Sequence, residues 1–180
     1  MSEKYKFRDA DGIYFVTTTI VCWIDLFTNP QYCEIVLDAL RYCQKNKGLN
    51  IHAWCIMSSH LHLIISSENT LSDIMRDFKK YTSKEIIYQL IDGTDSRKIW
   101  MLKLFSETAQ RIKRNNEYKV WQDGNHPVQL DTNKMLEVRL EYIHHNPIKR
   151  KNVTEPEHYY YSSAIDYTGQ KGLLDIIMIE

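Results

Sequence analysis

Runs of β-branched and aromatic residues, and alternation of apolar with polar positions, predict strands along the chain. Residues 12–21 are rich in such side chains, which favours a strand. Residues 50–57 and 60–66 are two more strand-like runs with only two residues between them, so they predict a hairpin. A shorter run at residues 118–122 indicates a further strand before a turn.

Helical periodicity predicts three helices between and after these strands. The first covers about residues 30–47, and the second about residues 71–92. The third covers residues 133–146 and is expected to end at Pro147, because a proline disfavours helical geometry at the residue before it. The polar residues 94–117 stay unassigned apart from an indication of a short helix.

The order strand, helix, hairpin, helix, strand, helix predicts an α+β sandwich with helices mainly on one face of an antiparallel sheet. The nearest named topology is the split β-α-β, ferredoxin-like arrangement. The chain has 180 residues and neither an internal repeat nor a long linker. We therefore predict a single domain over residues 1–180, with its core at about 12–168 and a C-terminal tail at 169–180.

Composition restricts the class of protein. Hydrophobic residues make up 43% of the chain and charged residues 26%, as in ordinary soluble domains. There is no apolar run of about 18 residues, and the first residues are polar, so we expect neither a membrane span nor a signal peptide. We therefore expect a cytoplasmic protein. The four cysteines form no Cys-x-x-Cys pair and are expected to be reduced packing residues.

Charge is balanced over the whole chain but segregated along it. The 23 basic residues equal the 23 acidic ones, yet residues 76–119 contain eleven Lys or Arg against six Asp or Glu. Such a segment is typical of a solvated helix face, and it is also what a nucleic-acid-binding surface needs. Charge alone leaves both interpretations open.

Two histidines give the first indication of chemistry. In the strand 60–66, side chains alternate between faces, so His60 and His62 project to one side, and Leu61, Leu63 and Ile65 project to the other. Two imidazoles at this spacing can share a divalent cation. The spacing also suits two histidines that are hydrogen-bonded within the fold.

A second candidate group lies on the last predicted helix. Tyr142 and Asn146 are four residues apart and therefore share one helix face. The amide oxygen of Asn146 could be a third ligand to a cation, and Tyr142 would then lie close to whatever that cation binds. A half-buried packing role is the alternative for this tyrosine.

Four segments, taken together and in order, resemble the REP-associated tyrosine transposases of the HUH single-tyrosine superfamily. The likeness runs over residues 14–167 and rests on MSSHLHLIISSENTLSDIMRDFKKYTSKEI, VWQDGNHPVQL, LEYIHHNPIKRKNV and YYYSSAIDY. Departures are small: Ser58 and Ser59 stand where Pro-Asn is usual, and Tyr161 where a tryptophan is common.

The resemblance implies a ferredoxin-like fold that cuts and joins single-stranded or hairpin DNA through a covalent tyrosine–DNA intermediate. It implies that Tyr142 is the catalytic nucleophile, that its helix lies near the histidine-bearing strand, and that His60, His62 and Asn146 hold a divalent cation. Mg²⁺ or Mn²⁺ suits this mixed ligand set, although imidazole alone would accept Zn²⁺. Whether the protein is a monomer or a homodimer, and which DNA it targets, stays open.

Basic and aromatic residues would then hold the DNA through phosphates and unpaired bases. His145 and His126 are candidates for assisting proton transfer, with a plain surface position as the alternative for His126. Trp100, Trp121 and Tyr118 could stack on bases, with packing in the core as the alternative for each. The predicted phosphate-binding residues are Lys79, Lys80, Lys84, Arg111, Lys113, Arg114, Lys149 and Arg150.

Two other functions fit the same patterns. A non-catalytic module that binds single-stranded nucleic acid could use this fold without any role for Tyr142. A zinc hydrolase could use His60 and His62 with water as nucleophile, but it would need a third strong ligand that the sequence does not identify.

Overall fold

The computed structural model describes residues 7, 9, 12–112 and 117–179. Within these residues, a four-stranded antiparallel sheet has the order β2-β3-β1-β4. Its strands are β1 (Tyr14–Thr19), β2 (Leu49–Ile56), β3 (His60–Ser67) and β4 (Val128–Gln129). This order, with helices after β1 and β3, is the ferredoxin-like arrangement, so the predicted fold class is confirmed.

Four helices surround the sheet in the described part of the chain. They are α1 (Pro30–Lys47), α2 (Leu71–Asp92), α3 (Lys98–Arg111) and α4 (Asn133–Lys149). Asn29 caps α1, since its side-chain oxygen accepts from the Gln31 backbone N–H at 3.1 Å, and Gly48 ends the helix with a left-handed φ of 67°. None of the described helices combines the length and apolarity that crossing a membrane requires.

The two faces of the sheet carry separate cores. On one face, Val16, Leu63 and other alternate strand residues pack with buried residues of α1, α2 and α3 in the larger core. On the other face, Phe15 and Ile64 pack with Ile143 of α4 in a smaller core. The sheet therefore separates α4 from the remaining helices, and this brings α4 onto the histidine face.

Two predictions from the sequence are wrong here: the position of the last strand and the end of the last helix. The run 118–122 is not a regular strand: Trp121 forms only an isolated bridge with Ile20, and β4 comes later. The last helix does not end at Pro147 but continues to Lys149. Pro147 lies in the final turn, where its missing N–H removes a single helical bond, and the Arg150 N–H still donates to the Asn146 carbonyl at 3.1 Å.

The segment expected to be a tail contributes to the fold. Leu174 is buried in the larger core. The Ile177 N–H donates to the Ile51 carbonyl at 2.9 Å, along the outer edge of β2. Residues 173–179 therefore cover an edge strand, which protects its unpaired backbone groups.

The cysteines are reduced, and three of them are packing residues as predicted. Cys33, Cys43 and Cys55 are buried. Cys22 is exposed and lies in a short 3-10 turn after β1. It has a left-handed φ of 56°, and Trp23 beside it has a φ of 54°.

Candidate active site

The histidine pair lies side by side on β3. His60 and His62 project to the α4 face, and their ring centroids are 4.7 Å apart. Only 7% and 4% of their surfaces are exposed. The alternation of side chains along the strand thus places both imidazoles in one small, nearly dry site.

The α4 helix brings Tyr142 to the same place. The ring centroids of Tyr142 and His62 are 5.3 Å apart, and Phe15 on the neighbouring strand lies 5.9 Å from the Tyr142 ring. Tyr142 is partly buried against the smaller core. A helix late in the sequence and a strand early in it therefore converge, as the candidate site requires.

A buried polar contact docks α4 on the sheet. His144 Nε2 lies 2.9 Å from the hydroxyl of Ser163, and this hydroxyl accepts from the Trp54 backbone N–H at 2.9 Å. The Tyr167 ring packs on His144 at 5.0 Å between centroids. Burial lowers the pKa of His144 to about 4, so this histidine is neutral at pH 7. His144 was not among the candidate residues from sequence.

Each site histidine has one nitrogen bonded within the fold. Thr17 pairs with His62 across the sheet, and its hydroxyl lies 2.8 Å from His62 Nδ1. Ser59 Oγ lies 3.2 Å from His60 Nδ1. Such bonds fix ring orientation, which is what ligand histidines need. Thr17 was not among the candidates from sequence.

The other ring nitrogen of His62, Nε2, differs from Nδ1 in its bonding. His62 Nε2 is buried, and among the described residues it has no hydrogen-bond partner. A buried ring nitrogen without a partner is unfavourable unless it has a ligand. When Nδ1 carries the ring hydrogen and donates to Thr17, Nε2 presents a lone pair. The residues therefore fit a metal ion that binds at Nε2.

Both imidazoles are in the neutral form at pH 7, with one ring N–H each. Burial lowers the pKa of His60 to about 4, with a further contribution from the positive charge of Arg150. Burial also lowers the pKa of His62 to about 3, and the neighbouring His60 and Arg139 add to this effect. Metal coordination requires the neutral imidazole, so the pair needs no deprotonation before it binds a cation at pH 7.

A third strong ligand does not join this pair within the described part of the chain. No cluster of three His, Cys, Asp or Glu that could hold a metal forms there. Asn146 lies one helical turn beyond Tyr142 and is buried. Among the described residues, the third strong ligand that a zinc hydrolase needs therefore does not join the two histidines.

Positive charge surrounds the tyrosine. Lys149 Nζ lies 5.4 Å from the centre of the Tyr142 ring, and Arg139 Cζ lies 6.0 Å from it. Arg150 lies close enough to lower the pKa of His60. Lys149 and Arg150 were predicted to contact DNA, but Arg139 was missed. Its spacing of three residues from Tyr142 on one helix could have identified it.

The predicted phosphate-binding residues of α2 lie on another surface. Lys79, Lys80 and Lys84 line a groove of about 640 Å³ between α2, the end of α3 and the loop that follows α3. Lys79 donates to the carbonyls of Gln122 and Gly124 at 3.2 and 2.5 Å, and burial lowers its pKa to about 8. Lys79 therefore fastens this loop to α2, while the other two lysines face the groove.

The remaining basic and histidine candidates are more scattered. Arg111 is exposed at the end of α3, and Lys113 and Arg114 fall outside the described residues. His145 is exposed, and its Nδ1 lies 3.0 Å from the Glu141 carbonyl of its own helix. His126 lies in a loop with a left-handed φ of 44°.

The aromatic candidates differ in exposure. Trp121 is buried and its indole N–H donates to the Thr82 hydroxyl at 2.9 Å, so it has the core role that was the alternative to stacking. Its segment runs antiparallel to the end of β1, where Trp121 forms a bridge with Ile20 and the Val21 N–H donates to the Val120 carbonyl at 2.8 Å. Tyr118 packs partly against the same core, whereas Trp100 is exposed on α3.

Comparison with known proteins identifies the class and the family. The chain has the fold of a solved REP-associated tyrosine transposase bound to a REP hairpin, with a TM-score of 0.63 and 16% identity over 100% of this chain and 98% of that one. Residues 24–114 match the family described as IS200-like transposase. The chain therefore belongs to the IS200-like transposases. No curated protein matches it significantly.

The segment that matches the family covers only part of the candidate site. It includes the strand that carries His60 and His62, while Tyr142 lies beyond its end. The family match therefore covers the histidine pair but not the tyrosine, and the tyrosine's place at the site comes from the packing of α4.

Proposed function

We propose that this transposase cuts and rejoins single strands of DNA through a covalent bond between Tyr142 and the DNA. The observation that carries the proposal is the separation of 5.3 Å between the Tyr142 and His62 ring centroids. Tyr142 packs on the smaller core and also lies against a histidine whose Nε2 is buried and, among the described residues, has no hydrogen-bond partner. The second contact is the one that a nucleophile beside a bound cation requires.

His60, His62 and Asn146 would hold the cation. Two observations support this assignment: His62 Nε2 has no hydrogen-bond partner among the described residues, and the pKa values of both histidines are lowered. An amide oxygen beside two imidazoles suits Mg²⁺ or Mn²⁺. When bound, the cation offsets the negative charge of the phosphate, which otherwise repels a nucleophile.

The reaction that these residues support is a balanced phosphoryl transfer. The Tyr142 oxygen forms a bond to phosphorus as the bond from phosphorus to the 3′ oxygen of the preceding nucleotide breaks. The tyrosine loses its proton, and the departing oxygen gains one to become a 3′-hydroxyl. Arg139 and Lys149 place positive charge beside the ring, where negative charge develops on the attacking oxygen.

The covalent product explains joining without a nucleotide cofactor. The tyrosine–phosphate ester conserves the bond that was broken, so a 3′-hydroxyl of the same or another strand can attack it and release Tyr142. The same groups serve both directions, since the forward and reverse steps pass through one transition state.

Hairpin DNA is the proposed substrate. The solved structure with the same fold is bound to a REP hairpin. Lys149 and Arg150 would contact phosphates at the site itself, and Lys80 and Lys84 line a second surface that could follow the duplex stem. Arg111, exposed at the end of α3, would extend that surface. Lys113 and Arg114 stay candidates from the sequence and lie outside the described residues.

A labelled hairpin with a single-stranded flank tests the proposal. We expect incubation with Mn²⁺ to give a covalent protein–DNA band on a denaturing gel, and Tyr142→Phe to abolish it. Tyr160→Phe is the matched control, because Tyr160 is 65% exposed and lies in the segment beside β2 rather than on α4. Binding without any band in the unmodified protein would indicate a binding module. Cleavage that survives in Tyr142→Phe would indicate a water nucleophile.

A further inference from the structure

Trp23 is an exposed tryptophan beside the histidine pair. Its ring centroid lies 5.8 Å from that of His60, with the two rings nearly perpendicular, and 60% of the residue is exposed. We propose that Trp23 stacks on an unpaired nucleobase next to the scissile phosphate. The inference rests on the proposed DNA-cleaving function and adds a base-binding subsite to it.

The backbone around Trp23 is strained in a way that holds the indole outside the core. Trp23 and Cys22 have left-handed φ values of 54° and 56°, which are unfavourable for residues with bulky side chains. Ile20 and Ile24 on either side are buried, and the Trp23 N–H donates to the Ile20 carbonyl at 3.1 Å. Such strain persists only where the surroundings fix it, and it is concentrated at functional sites.

A packing role does not account for this exposure. Trp54 and Trp121 are buried, and they show how this fold accommodates an indole that serves the core. Trp23 keeps a large apolar surface in water although buried isoleucines flank it on both sides. An aromatic surface of this kind, rigidly placed at the edge of a polar site, is suited to a flat apolar ligand.

The position of Trp23 matches the chemistry of a single strand. Proteins grip unpaired nucleic acid by neutralising its phosphates and stacking its bases on aromatic rings. In the proposed site the phosphate lies at the histidines, so the sugar and base attached to it lie only a few bonds away. Trp23, in contact with His60, is therefore placed to receive that base. Because every base has a flat face, this contact would strengthen binding without reading sequence.

Binding of two short oligonucleotides of equal charge tests the proposal. One is an eight-nucleotide oligothymidylate, and the other is its abasic counterpart, both measured with Mn²⁺ by fluorescence anisotropy. We expect Trp23→Ala to weaken binding of the thymidylate by about 5- to 150-fold, the range for loss of one stacked base, and to leave binding of the abasic strand unchanged. Trp23→Phe should lose less, because a smaller aromatic ring remains.

Tyr88→Ala is the matched control, since Tyr88 is 61% exposed on α2, and we expect it to bind both strands as the unmodified protein does. An equal loss on both strands, or no loss on either, would overturn the stacking role. Should Trp23→Ala fail to fold, Trp23→Phe makes the same comparison between the strands. The test does not require cleavage, so a missing covalent band on hairpin DNA would refute the proposed function separately.

Discussion

The two sides of β3 differ in chemistry although both are dry. Leu61, Leu63 and Ile65 point into the larger core, while His60 and His62 point toward α4, and all five are buried. Burial of the aliphatic side chains stabilises the fold by roughly 25 cal/mol per Å² of apolar surface. Burial of an imidazole is unfavourable unless its nitrogens are bonded. One strand thus has an apolar side that stabilises the fold and a buried polar side that holds the two histidines.

The layers that cover these two sides differ in the same way. The larger core joins the sheet to α1, α2 and α3 through aliphatic and aromatic side chains. The α4 layer has a smaller apolar core, and His144 and Ser163 add a buried polar contact. Polar contacts depend on direction, whereas apolar packing does not. We infer that the directional contact sets where α4, and with it Tyr142, lies over the histidines.

The largest expected effect is on the histidine side. His60→Ala should reduce DNA cleavage by at least about 100-fold, because it removes a proposed metal ligand. DNA affinity should stay nearly unchanged, since phosphate contacts rather than the metal dominate it. Cleavage on a denaturing gel and binding by anisotropy measure the two quantities.

Leu63→Ala is the control on the opposite side of the same strand. It should lower the free energy of unfolding by roughly 2–5 kcal/mol while the folded fraction keeps its cleavage activity. A collapse of DNA affinity in His60→Ala would contradict the proposed separation of metal binding from DNA binding.

Alternation of apolar and polar residues was sufficient to predict β1, β2, β3 and the histidine pair, but not β4. A strand alternates its faces regardless of what packs on it, so His60 and His62 could be assigned to one side from spacing alone. The convergence of Tyr142 with them could not be predicted in this way. It depends on which face of the sheet α4 covers. The shared helix face of Tyr142 and Asn146 made it a hypothesis, and the family resemblance supported that hypothesis.

Contacts that depend on the register between strands could not be predicted from the sequence. Thr17 bonds to His62 because the two residues pair across β1 and β3, 45 residues apart, and nothing in either strand marks that pairing. The burial of Trp121 likewise depends on how its segment pairs with the end of β1. Arg139 is different, since helical spacing from Tyr142 placed it on the site face, and the positive charge there could have been predicted.

A smaller effect is expected from the residue that orients His62. Thr17→Val removes the hydroxyl that lies 2.8 Å from His62 Nδ1 while keeping the shape of the side chain. Loss of such a partner typically weakens metal binding by 10- to 100-fold, because the ring and its tautomer are no longer fixed. Titration of Mn²⁺ by calorimetry should show this decrease. An unchanged affinity would mean that Thr17 does not orient the ligand.

The smallest effect should have the opposite sign, at the next residue. Thr18 pairs with Leu61 on the larger-core side, and its buried hydroxyl has no hydrogen-bond partner among the described residues. Thr18→Val replaces that hydroxyl with a methyl group of similar size. We expect the free energy of unfolding to rise by about 1 kcal/mol, since an unsatisfied buried polar group is removed. Urea denaturation measures it, and metal affinity should not change. The contrary outcome is that Thr18→Val weakens Mn²⁺ binding as Thr17→Val does. The two sides of the sheet would then not be independent. The metal site would depend on the whole strand and not only on the side chains that face the metal.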